Sequence, residues 1–126
     1  MQNKGPLHVI AVVDDDQRVL QSLGNLLESA GYAVRLFDSA EAFLDEDVVT
    51  EIDALVSDIK MPGLDGVELQ RHVGIKRPQL PVILITAGGD LVRPKTPYPN
   101  NRGIFSKPID PAEFLRTLGT AMKDKR

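Results

Sequence analysis

Aspartate is the side chain around which reactive chemistry gathers in this sequence. Asp14, Asp15 and Asp16 follow an apolar run at 9–13, and Asp58 ends the run Ala54-Leu55-Val56-Ser57. Thr86 ends a further apolar run at 81–86, and Lys107 follows a short one at 103–106. Carboxylates brought to one place repel: two unit charges about 4 Å apart cost roughly 4 kcal/mol at an effective dielectric of about 20, so such a cluster calls for a cation. Without histidine or cysteine the donors are hard oxygens. Magnesium, which takes one or two carboxylates, waters and a substrate phosphate, suits them better than zinc. Lys107 offers a compact positive charge for one phosphoryl oxygen, and the Thr86 hydroxyl a hydrogen bond for another. In that setting a carboxylate can act as nucleophile and form an acyl phosphate. Asp14 and Asp15 are adjacent and suit a metal-holding pair, whereas Asp58 stands alone and is the expected nucleophile.

Each residue alone has an ordinary explanation. The aspartate triplet reads as a solvated turn and helix cap, Asp58 as a strand-end turn residue, Thr86 as a locally satisfied strand residue, and Lys107 as a surface lysine. What distinguishes them is the elements that carry them. Residues 7–13 form a β-branched apolar run that reads as a buried strand, Asp16 caps a helix at 17–30, and the stripe Val19, Leu20, Leu23, Leu26, Leu27 and Ala30 repeats at three and four residues. Gly31 supplies a left-handed stop. A second strand is expected at 32–37, a short helix opened by Ser39, and a third strand at 54–58. Met61-Pro62-Gly63 turns the chain into a helix at about 65–73, with Gly66 permitting close packing at its start. Strands at 81–86 and 103–106 follow, and Asp110-Pro111-Ala112-Glu113 opens a last helix with Phe114, Leu115, Leu118, Ala121 and Met122 on its apolar face.

Strands alternating with helices predict an α/β fold, a doubly wound parallel sheet covered on both faces. In such sheets sites form beyond the carboxyl ends of the strands, where strand order reverses. Asp14, Asp15, Asp58, Thr86 and Lys107 all fall at such ends. Phe37, Phe43 and Phe114 are expected in the core, and His8 and His72, far apart in sequence, as structural or surface residues.

Length and composition fit one domain, 1–126, with its core at about 7–122. The absence of cysteine excludes disulfides, thiolate metal sites and a cysteine nucleophile, and makes the cytoplasm the expected location. No apolar run approaches the roughly 18 residues of a membrane span, and no signal peptide is read at the start. A net charge of −3 lacks a basic footprint, so neither direct nucleic-acid binding nor membrane association is expected.

The strings Val12-Val13-Asp14-Asp15-Asp16, Val56-Ser57-Asp58-Ile59-Lys60-Met61-Pro62-Gly63-Leu64-Asp65-Gly66, Leu84-Ile85-Thr86-Ala87 and Ser106-Lys107-Pro108, in that order on those element ends, closely resemble bacterial two-component response-regulator receiver domains. Leu27-Glu28-Ser29-Ala30-Gly31-Tyr32, Phe37-Asp38-Ser39-Ala40 and Gly66-Val67-Glu68-Leu69-Gln70 resemble the FixJ-type subgroup. The resemblance implies a flavodoxin-like five-stranded sheet of order 2-1-3-4-5. It implies Asp15, Asp58 and the Lys60 carbonyl as direct ligands of Mg2+, with Mn2+ as a substitute, and Asp14 acting through water. Asp58 would be the phosphoacceptor, with Thr86 and Lys107 contacting the phosphoryl group across a cis Lys107-Pro108 bond. The implied partners are a sensor histidine kinase or histidine phosphotransfer protein and a downstream protein target. The implied activity is self-phosphorylation with slow autodephosphorylation, not conventional enzyme turnover.

Two features depart from that family. Pro94, Pro97 and Pro99 fall where the family has its fourth helix. An interior proline costs about 3 kcal/mol relative to alanine, so residues 88–102 are expected as an extended or irregular loop. The aromatic expected three residues before Lys107 is Ile104; Phe105 is one residue along and so faces the other side of the strand. Output through 88–105 is therefore expected to differ. Two other readings compete: a pseudo-receiver serving as a phosphorylation-independent interaction module, and a carboxylate-nucleophile phosphohydrolase, for which no substrate-capping domain is seen. No helix-turn-helix follows the last helix, so the chain is expected to be a single-domain regulator or a piece of a longer one.

Overall fold

The computed structural model describes residues 7–87 and 99–124. Among these, five strands, β1 (Val9–Val13), β2 (Ala33–Phe37), β3 (Ala54–Asp58), β4 (Val82–Thr86) and β5 (Asn101–Ser106), alternate with four α-helices, α1 (Gln17–Ser29), α2 (Ala40–Glu46), α3 (Gly66–Lys76) and α4 (Pro111–Asp124). A 3-10 turn, Val49–Glu51, precedes β3. The sheet is parallel throughout in the order β2-β1-β3-β4-β5, the doubly wound arrangement expected.

Strand alternation divides the core in two. Ala11 and Val13 of β1 point to the face covered by α2 and α3, where Phe37, Phe43, Leu69 and Val73 pack. Ile10 and Val12 point to the face covered by α1 and α4, against Leu23, Leu27, Phe114 and Leu118. Phe43 and Phe114 are fully buried, and burial of such side chains stabilises the fold by about 1.5–3 kcal/mol each. Phe37 meets Phe43 edge-on at 5.3 Å between ring centroids.

The caps follow the sequence. Asp16 accepts the Arg18 N–H at 2.9 Å, Ser39 the Ala42 N–H at 3.0 Å, Asp65 the Glu68 N–H at 2.9 Å, and Asp110 the Ala112 N–H at 3.0 Å. Gly31 has φ 95°, the left-handed region that favours glycine. Several boundaries differ from expectation by two residues or more; β1 begins at Val9 instead of residue 7. α3 continues one turn past Val73 to Lys76 because nothing breaks it before Pro78, which disfavours helical backbone at the preceding Arg77. β5 begins at the polar Asn101 instead of Gly103, with a register shift: Val82 pairs with Asn101 and Ile83 with Gly103, leaving Arg102 as an extra residue. Of the loop expected at 88–102, residues 88–98 lie outside the described residues, Pro99 and Asn100 form a turn, and Asn101 and Arg102 belong instead to β5.

Arg77 fastens the end of α3 to the segment that leads into β3. Its Nη1 donates to the carbonyls of Val49 and Ile52, both at 2.7 Å. Arg77→Ala leaves two carbonyls of buried residues without their charged donor, and is expected to cost about 2–4 kcal/mol, read as a lower urea midpoint with unchanged slope.

Candidate functional site

Parallel register brings the two key aspartates together. Val13 pairs with Ser57, and the next residue on each strand is an aspartate, Asp14 and Asp58. β1 and β3 flank the point where the chain winds in opposite directions, the usual place for a site in this architecture. Asp58 is opposite Ile85, and Thr86, one residue on, is opposite Ser106. The Lys107 N–H then donates to the Thr86 carbonyl at 2.9 Å. Thus Asp14, Asp15, Asp58, Thr86 and Lys107 share the carboxyl-end edge of the sheet.

Burial and charge make this edge unusual. Asp14 and Asp58 are 1% and 6% exposed, while Asp15 is exposed. Each of the three aspartates offers an oxygen within 4.8 Å of the others. Asp14 Oδ1 accepts the Asp16 N–H at 2.9 Å. Lys107 Nζ stands 3.3 Å from Asp14 Oδ2 and 3.6 Å from Asp58 Oδ1. Asp14 Oδ2 accepts no hydrogen bond of good geometry despite its burial. Burial pushes the Asp58 carboxyl up to about 6, with the charges of Asp14 and Asp15 adding and Lys107 opposing. Burial likewise raises Asp14 above the usual carboxylate range. Among the described residues, the one ammonium within ion-pair distance of these carboxylates is that of Lys107, which leaves the three aspartates short of positive charge. A buried carboxylate oxygen held only by its ion pair to Lys107, beside other hard donors, fits a divalent cation of the magnesium type.

The β3–α3 connection is held tightly against the site. The Ile59 N–H donates to Ile85 O, and Gly66 N–H to Ile59 O, both at 2.8 Å. Met61 is buried in the core beneath α2 and α3. Lys60 lies two residues past Asp58 with an exposed side chain. A Cβ on Gly66 would lie 2.2 Å from the Asp58 carbonyl oxygen, which gives the glycine expected at this helix start a definite physical reason. Gly63 turns the chain at φ 79°.

An open cleft of about 560 Å³ borders Lys107, lined chiefly by Val19, Leu23 and Leu26 of α1 and by Pro108 and Ile109. The Lys107-Pro108 bond is cis, as expected. Ile104 packs with the α2 and α3 side of the core. Phe105 packs on the opposite side, edge-on to Phe114 at 5.7 Å, so it does not stand in for an aromatic at 104. His72 is exposed, and His8 lies 3.8 Å from Asp53, far from this edge in the sheet. Sequence reading missed Glu41, whose carboxylate accepts the Leu64 N–H at 2.9 Å across 23 residues; an exposed acid in a first helical turn carries no signal for so distant a partner.

Comparison with known proteins agrees with this geometry. The family model described as response regulator receiver domain matches residues 10–118. The transcriptional regulatory protein FixJ of Bradyrhizobium diazoefficiens is 43% identical over 91 residues, 72% of this chain and 43% of that protein. The response regulator protein TmoT of Ectopseudomonas mendocina is 34% identical over 116 residues, 91% of this chain and 53% of that protein. The chain spans about half the length of the curated relatives it matches. Among solved structures, response regulator StyR superposes with a TM-score of 0.84 at 32% identity, covering 94% of this chain and 60% of that one. The crystal structure of FixJ-N superposes at 0.78 and 29% identity, covering 100% and 98%. With its motifs, sheet order and acidic edge in agreement, the chain belongs to the response regulator receiver domain family, as a receiver domain of the FixJ type.

Proposed function

We propose that this receiver domain accepts a phosphoryl group on Asp58 from a phosphohistidine, in a magnesium-dependent reaction that switches its signalling state. Receiver domains are signalling domains that interact with histidine kinases and downstream effectors, and bind Mg2+ at an acidic pocket. The observation that carries the reading is the meeting of Asp14, Asp15 and Asp58 within 4.8 Å, with Lys107 3.6 Å from Asp58.

In the reaction an Asp58 carboxylate oxygen attacks phosphorus, a P–O bond forms and the P–N bond to the donor imidazole breaks. The imidazole leaves with the bonding electron pair and takes a proton from solvent. Asp15, Asp58 and the Lys60 carbonyl would hold the metal directly, and Asp14 through water. Bound Mg2+, or Mn2+ in its place, supplies charge neutralisation for the transferring group. Lys107 Nζ moves its ion pair from the Asp58 carboxylate to a phosphoryl oxygen, and the Thr86 hydroxyl donates to another. Phosphorylation brings a charge of about −2 to the edge and biases the loops around it. The same edge would admit water for slow autodephosphorylation, without turnover of a diffusible substrate.

The apolar cleft beside Lys107 is the expected seat of the donor, a sensor histidine kinase or histidine phosphotransfer protein. Output goes to a downstream protein target, with a surface at 88–105 altered by Ile104. The core of this receiver domain is assigned to 7–122. Among the described residues no helix is long and apolar enough to cross a membrane, and the proposed location is the cytoplasm. The test is incubation with acetyl phosphate with and without Mg2+. A single acid-stable, base-labile adduct that needs the metal is expected; absence of labelling would favour a phosphorylation-independent interaction module.

A further inference from the structure

The β3–α3 loop is fastened from outside by a residue that none of the proposed phosphoryl chemistry uses. Glu41 lies in the first turn of α2, which Ser39 caps. Its Oε2 accepts the Leu64 N–H at 2.9 Å. Its carboxylate is so close to Gly63 that a Cβ there would fall 2.5 Å from Oε2 and 3.3 Å from Cδ. The Leu64 N–H, with a smaller contribution from the backbone N–H of Glu41 itself, holds the carboxyl pKa below the usual glutamate value. One carboxylate thus joins the start of α2 to the turn that follows Lys60.

The start of the same short connection is fixed where Gly66 packs against the Asp58 carbonyl and donates its N–H to Ile59 O. Between Ile59 and Leu64 lie Lys60, Met61, Pro62 and Gly63. Met61 is buried, so its side chain resists displacement, while Pro62 and Gly63 are exposed and have Glu41 as their external hold. We infer that Glu41 is a positioning residue for the phosphoryl and metal site: it acts through the Gly63–Leu64 backbone to hold the Lys60 carbonyl where a cation between Asp15 and Asp58 requires it. This rests on the proposed function above and adds a residue to it. The preference for an oxygen acceptor reaching the Leu64 N–H makes glutamine an adequate replacement and alanine an inadequate one.

The test compares wild type, Glu41→Ala and Glu41→Gln by calorimetric Mg2+ titration, by the rate of phosphoryl uptake from acetyl phosphate, and by hydrogen exchange of the Leu64 amide. Because Glu41 is exposed, far-UV circular dichroism and thermal midpoints are expected to change little. Glu41→Ala is expected to lose Leu64 protection and to weaken Mg2+ binding about 10-fold, the lower end for outer-shell partners of a metal site, with a matching fall in uptake. Glu41→Gln is expected to recover most of both. Wild-type affinity and uptake in Glu41→Ala would overturn the positioning role alone, as would a Glu41→Gln protein as impaired as Glu41→Ala. A wild-type protein that neither binds Mg2+ nor takes up phosphoryl would overturn the reading of the site, and this role with it.

Discussion

Asp58→Asn is expected to make the metal-free protein more stable at neutral pH while abolishing phosphoryl uptake at this position. The carboxyl of Asp58 is raised from 3.8 to about 6, first by burial and then by the neighbouring charges. A carboxyl whose folded value lies above its unfolded value binds its proton more tightly in the folded protein. Its contribution to stability is therefore fully present below pH 3.8 and is lost as pH rises through about 6. Each tenfold difference in proton affinity between the folded and unfolded protein is worth about 1.4 kcal/mol, so the loss is about 3 kcal/mol at most. Asparagine keeps the shape and carries no charge. Its advantage over wild type should be near zero at low pH, grow between about pH 4 and 6, and level off above, adding roughly 5–10 °C to the thermal midpoint. Mg2+ should reverse the order, because on the proposed reading it binds the folded state and binds the aspartate protein more tightly. Urea titrations across this pH range, with Mg2+ or with a chelator, check both halves. An asparagine variant less stable than wild type at pH 7 without metal would contradict the electrostatic account.

The second large effect is expected at Gly66. Alanine there would set Cβ 2.2 Å from the Asp58 carbonyl oxygen, 2.9 Å from Ile59 Cα and 3.0 Å from the Asp58 carbonyl carbon. All three are backbone atoms of β3 and its exit, so no side chain can swing aside. α3 must lift away, stretching the Gly66 N–H bond to Ile59 O. Overpacking in a well-packed interior typically costs about 1–3 kcal/mol, and contacts with unyielding backbone place Gly66→Ala at about 3 kcal/mol or above. Gly119→Ala is the internal comparison: apart from the nearby backbone of α4 itself, no atom of the described residues lies within 4 Å of that Cβ, and alanine is better than glycine in a helix by about 1 kcal/mol. Opposite shifts in urea midpoint are expected from the same chemical change. Gly66→Ala should also slow phosphoryl uptake, since the displaced backbone carries Asp58, the proposed phosphoacceptor.

Much of this was legible in the chain. Apolar runs ending in Asp14, Asp58 and Thr86 mark strands buried on both faces, since a central parallel strand has no polar side to alternate. Their polar last residues mark one edge of the sheet. Asp16, Ser39, Asp65 and Asp110 cap helices by bonds two or three residues along, within the reach of sequence reasoning. Other features have no such local sign. Arg77 finds carbonyls 25 and 28 residues away, and Glu41 an amide 23 residues away. Backbone acceptors and donors carry no side-chain signature, so only the fold reveals these bonds. The start of β5 was missed because Asn101 and Arg102 are polar; Asn101 is fixed by a hydrogen bond from its Nδ2 to Gln70 Oε1 at 2.9 Å, a tertiary contact overriding weak strand propensity. Charge balance was partly legible: the acids were evident, but not that Lys107 is shared between Asp14 and Asp58.

The most direct test of Asp58 as phosphoacceptor is to find where the phosphoryl group resides. After reaction with acetyl phosphate and Mg2+, borohydride reduces an aspartyl phosphate to homoserine, and peptide mass spectrometry reads its position. Homoserine is expected at position 58 alone, present with Mg2+ and absent with a chelator. Homoserine at 14 or 15, or at no position in fully folded protein, would contradict that assignment.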